Sequence, residues 1–82
     1  MENRVLLVRA MWDNEAGVWV AESDDVPGLV TEAETQSALI AKLSVLIPEL
    51  LELNQVSIDP NRPVQVALQY HGEERFILPT AA

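Results

Sequence analysis

Four carboxylates, Asp13, Glu22, Asp24 and Asp25, lie close together in the first third of the chain. Converging carboxylate oxygens are what a hard cation such as Mg2+ needs, and metal-assisted hydrolysis is the chemistry they would support. Adjacent aspartates in a turn more commonly hydrogen-bond their own backbone and keep solvated carboxylates. Turn formation is therefore the favoured reading, with a carboxylate-based metal-dependent hydrolase as the alternative. His71 precedes Gly72 near a predicted strand end, and no serine or cysteine is evidently paired with it for general-base work. It reads as an exposed polar turn residue. Trp12 and Trp19 have the rings to stack on a base or a ligand, but no cationic neighbours complete that mode. They read as core or interface anchors. No enzyme, cofactor or metal centre is expected from these residues.

The chain has 82 residues, 13 acidic against 5 basic, for a formal net charge of -8, and no cysteine. Disulfides, cysteine-ligated zinc and thiol catalysis are excluded with the missing thiols. Length and uniform composition predict a single domain over 1–82. A core of that size rarely supplies more than about 3–5 kcal/mol, and oligomerisation is the usual remedy without disulfides or metal. A homo-oligomer or a bound partner is expected. No basic residue occurs between Arg9 and Lys42, whereas seven acids do: Asp13, Glu15, Glu22, Asp24, Asp25, Glu32 and Glu34. Such clustering steers basic partners and argues against direct nucleic-acid binding. A solvated face that keeps an apolar protein soluble is the plainer explanation of the same acids. The apolar residues before Arg9 are too few for a signal peptide or a span, so a cytoplasmic protein without membrane association is expected.

The elements follow from local pattern. Arg4 to Trp12 (RVLLVRAMW) reads as a strand, Asp13 to Gly17 as a turn, and Val18 to Glu22 as the returning strand of a hairpin. Pro27 and Gly28 then fit the two central positions of a turn, and Leu29 to Ala33 forms a third strand. Thr35 is an N-cap for a helix whose stripe is Leu39, Leu43, Leu46, Leu50 and Leu53, with Asn54 as its stop. Pro48 should kink that helix or split it. After the turn residues 59–63, alternation at Val64, Val66, Leu68 and Tyr70 marks a fourth strand. Arg75 to Leu78 either extends it past a bulge or returns as a short fifth strand, and residues 79–82 form a frayed tail. The order predicts a two-layer α+β domain: an antiparallel meander of three strands, one helix, and a last strand parallel to the first.

A five-residue hairpin loop sets Trp12 opposite Val18. Leu6, Val8, Ala10, Trp12, Val18 and Val20 then share one face, and Leu7, Met11, Trp19 and Ala21 the other. Both faces are apolar. One helix covers only one side of a small sheet, so the reverse would expose a tryptophan-bearing patch. Self-association or a partner is the favoured cover, with the chain's own loops and C-terminal segment as the alternative. Leu7, Met11, Trp19 and Ala21, together with Asp24 and Asp25, are thus the candidate partner-binding residues.

Trp19, the run Asp25-Val26-Pro27-Gly28-Leu29, Thr31 and the helix start at Thr35 carry a family likeness. In their order and spacing they resemble the HicB-like antitoxin family, over roughly the first two-thirds of the chain. The longer helix with Pro48-Glu49-Leu50-Leu51-Glu52-Leu53 is similar to a compact prokaryotic subgroup of it. The resemblance implies a partial ribonuclease H-like sheet with one helix, without catalytic acids, that masks a small basic toxin. The family's C-terminal DNA-binding segment has no counterpart here, since only 29 residues follow Leu53, with two arginines and no helix-turn-helix pattern. The reading reached is a HicB-like protein-association module, homo-oligomeric, in specific form the antitoxin half of a toxin pair. A metal-dependent hydrolase and a ligand-sensing domain are the alternatives.

Overall fold

A computed structural model describes residues 5–59, 61–73 and 78. The elements run β1 (Leu6–Asp13), β2 (Val18–Glu22), β3 (Val30–Ala33), α1 (Gln36–Leu53) and β4 (Val66–His71). The sheet order is β3-β2-β1-β4, with antiparallel β1–β2 and β2–β3 pairs and a parallel β1–β4 pair. This is the expected two-layer α+β arrangement. The possible fifth strand at 75–78 and the tail at 79–82 lie outside the described residues, Leu78 apart, which is exposed.

The hairpin differs from expectation by one residue. Asp13 pairs with Val18 and Trp12 with Trp19, so the loop is the four residues 14–17. Asp13 itself sets the turn: its Oδ1 accepts from the amides of Glu15 and Ala16, and its carbonyl accepts from Gly17 N–H at 2.8 Å. Gly17 takes φ +68°, the left-handed conformation that lets the strand re-enter the sheet. Because side chains alternate along a strand, the one-residue slip exchanges the faces of all of β2. Trp19 and Ala21 therefore join Leu6, Val8, Ala10 and Trp12 on the helix side, and Val18 and Val20 move to the reverse beside Leu7 and Met11. The tryptophan-bearing reverse face is not there. What the reverse carries is a mixed surface on which Met11, at 58% exposure, lies between Val20 and His71, with the exposed Val30 and the charged Arg9, Glu22 and Glu32 on the same face.

Val26, Pro27, Gly28 and Leu29 make the expected turn, closed by Leu29 N–H to the Val26 carbonyl at 3.1 Å with Gly28 at φ +80°. Val26 and Leu29 are buried, so the turn plugs one end of the core. Thr35 caps α1, its hydroxyl accepting from Ala38 N–H at 3.0 Å. The helix continues through Pro48 as one element of 18 residues, neither split nor restarted. Leu39, Leu43, Ile47 and Leu51 are its buried stripe; Leu46 and Leu50 flank it half-buried, and Leu53 stands exposed.

Helix α1 ends in a Schellman motif. Val56 N–H reaches the Leu51 carbonyl at 2.9 Å and Gln55 N–H the Glu52 carbonyl at 3.2 Å, with Gln55 left-handed at φ +55°. Asn54 Nδ2 donates to the carbonyls of Leu50 and Pro27, tying the helix end to the Pro-Gly turn. α1 lies over β3 and β2. A helix is about 10 Å across with its side chains and strands are about 4.8 Å apart, so one helix covers about two strands. Among the described residues no helix lies above the β4 half of the same face.

Candidate protein-binding groove

The uncovered half of the helix-side face forms an open groove of about 980 Å³. Ile40, Leu43, Ile47 and Leu51 of α1 make one wall, and Val66, Leu68 and Tyr70 of β4 make the floor. Val56, Ile58 and Val64 close one end, brought there by the Schellman turn that reverses the chain after α1. Pro48 and Ser44 also line it. Proline has no amide hydrogen, so the Ser44 carbonyl lacks its helical donor at that point of the wall. The Ser44 hydroxyl turns back to the Ile40 carbonyl at 2.8 Å. Among the described residues Glu52 is the one charged residue on the lining. The Tyr70 hydroxyl is buried without a hydrogen-bond partner among the described residues.

At the far end of the same face lies an aromatic cluster. Trp19 meets Trp12 edge-on with centroids 5.3 Å apart, and meets Tyr70 at 5.0 Å across the buried Ala10. Trp12 Nε1 donates to Asn14 Oδ1 at 2.7 Å. Gly72 passes over the pair so closely that a Cβ there would come within 3.1 Å of Trp12 Cβ and 3.2 Å of Trp19 Cη2. Both tryptophans thus anchor the sheet internally. The half-buried Trp19 packs against the core and Ala21 is fully buried, so of the four apolar candidates only Leu7 and Met11 remain on the reverse face.

The two turn aspartates part company. Asp25 Oδ2 accepts from Leu7 N–H at 2.8 Å, and Ser23 Oγ donates to the Leu7 carbonyl while accepting from Asp25 and Val26 amides. Leu7 points its backbone toward β2 after β2 has ended, and these side chains replace the missing strand. Asp24 is exposed and pairs with Arg9 at 3.2 Å, with Glu22 of the same cluster at 3.8 Å from that guanidinium. Asp13 is engaged in the hairpin turn. The four carboxylates are therefore shared out among three structural tasks, and among the described residues no group of three or more His, Asp or Glu is placed to hold a metal. His71 is exposed at the end of β4.

The groove follows from the width of the sheet and not from its two sides, because one helix stripe is too narrow to roof four strands. Its signal is present in the sequence: Val64, Val66, Leu68 and Tyr70 offer a fourth apolar row to a single helix stripe. No helix among the described residues is long and apolar enough to cross a membrane.

The chain belongs to the family described as a domain of unknown function, DUF1902, whose family model matches residues 5–78. It is similar to a hypothetical protein, TTHA1013, from the extremely thermophilic bacterium Thermus thermophilus, known from a crystal structure. The two are 52% identical with a TM-score of 0.69, over 92% of this chain and 100% of that one. No curated protein matches.

Proposed function

We propose that this member of the DUF1902 family is a non-enzymatic protein-association module that works in the cytoplasm, binds the apolar surface of another polypeptide in the groove between α1 and β4, and forms homo-oligomers. The observation that carries the reading is the groove: about 980 Å³ of mostly apolar lining on a domain of this size. In finer form the module is HicB-like and antitoxin-like, taking a small basic protein as partner. The seven acids of the hairpin, the Pro-Gly turn and β3 favour it, since they would steer a cationic partner toward the domain. With 5 basic against 13 acidic residues the chain is poorly matched to phosphate, and nucleic acid is not the expected ligand.

The test uses Ile40→Lys, a change at a 52%-exposed position on the groove wall. It should abolish capture of partners from the native cell, while far-UV circular dichroism stays unchanged. Unaltered capture would remove the groove from partner binding. For a basic partner, Asp24→Asn should weaken binding, and added salt should weaken it further. Asp25 is unsuited to that experiment, because it holds β1.

A further inference from the structure

The two edges of the sheet are treated differently, and from that difference we infer that a second copy of this chain pairs along β4, antiparallel about a twofold axis through Leu68. The inference rests on the association reading above and names its partner and its seat.

β3 is protected. It has only four residues, it follows the Pro-Gly turn, and it carries Glu32. Its outward-facing backbone groups belong to Val30 and Glu32, since the register leaves Thr31 and Ala33 bonded to β2. Lys42 of α1 reaches over and donates to that Glu32 carbonyl at 2.6 Å, so a backbone acceptor of this edge is already taken. Short length, charge and a lysine are the devices by which sheets refuse partners.

β4 has none of them. It runs six residues, Val66-Ala67-Leu68-Gln69-Tyr70-His71, without proline, lysine or acid. Leu6 N–H donates to the Gln65 carbonyl at 2.9 Å and Leu6 stands opposite Val66, so Gln65, Ala67 and Gln69 spend their backbone on β1. Val66, Leu68 and Tyr70 present theirs outward, a ladder unpaired among the described residues.

A second copy fits this edge by symmetry, since an antiparallel ladder centred on Leu68 matches its own outward groups, and charge permits it. Two chains of -8 repel most through Glu22, the acids of the Pro-Gly turn and β3, at the β2-β3 side of the sheet. Across the neutral β4 edge the repulsion is least. With Leu68 on the axis, Val66 faces the other copy's Tyr70. The twofold is perpendicular to the sheet, so both helices lie on the same side and the two grooves, each floored by β4, merge into one trough.

Two variants test this on the full chain. Val66→Pro removes an outward amide that β1 does not use, and Gln69→Lys puts a cation on an exposed edge position. In sedimentation equilibrium each should weaken a wild-type dimer by about 10–100-fold, Val66→Pro through the loss of two symmetry-related hydrogen bonds and Gln69→Lys through the like charges it brings to the shared edge. Far-UV circular dichroism should be unchanged. A dimer that survives both variants but not Ile40→Lys overturns pairing along β4 and leaves groove-mediated association standing. A wild-type chain that stays monomeric throughout, as it would if its own residues 75–78 covered β4, overturns the pairing as well. Capture of a partner then decides the association reading by itself.

Discussion

Asp25 shows how a residue that looks like chemistry is spent on architecture. Its carboxylate satisfies the half-buried Leu7 amide, so Asp25→Ala should cost about 1–3 kcal/mol in urea unfolding, because that donor would lose its partner. Asp24→Ala, at an 88%-exposed side chain, should change stability by less than about 0.5 kcal/mol in the same assay. The sequence allowed the turn to be read, and Asp24 fits the solvated-carboxylate expectation. Asp25 does not, since its partner is 18 residues upstream and no local pattern announces it. Gln55 offers the reverse experiment. It occupies a left-handed position that glycine fills without strain, and Gln55→Gly should raise stability by about 0.5–1 kcal/mol.

At the scale of elements, order and type were legible while strand register was not. VWVAE has an apolar residue at nearly every position, so alternation could not say which side of β2 faces the helix. The decision lay with Asp13, whose side chain and carbonyl bind three amides of the loop and so make Asp13, not Trp12, the last paired residue of the strand. Once Trp12 faces Trp19, Trp19 and Ala21 move from the reverse of the sheet to its helix side. The helix was readable from Thr35 to Asn54, but Pro48 proved compatible with an unbroken element because the Ser44 carbonyl it strands opens on the groove and not on the core. Proline in a helix interior still costs about 3 kcal/mol relative to alanine. Pro48→Ala should therefore raise the unfolding free energy, by about 1–3 kcal/mol after allowance for the exposed carbonyl. Thermal unfolding at fixed protein concentration reads this directly.

For the whole molecule, charge and shape make opposite demands on assembly. A pair of like chains at -8 each should tighten as salt screens their repulsion, whereas a complex with a basic partner should loosen. Sedimentation and partner binding measured over the same salt series should thus move in opposite directions; parallel movement would mean that one of the two contacts lies elsewhere on the surface. The side-to-side asymmetry of the sheet has a further effect, set by Lys42. A ribbon with two receptive borders adds copies without limit and ends as fibre. Here one border is stoppered by an ammonium group, so two chains joined at the other, as inferred above, would expose only stoppered borders, and growth would halt at two. Replacing Lys42 with alanine would unplug both outer borders of the pair, and turbidity rising on standing, with no loss of helical signal, is the outcome that a missing stopper predicts.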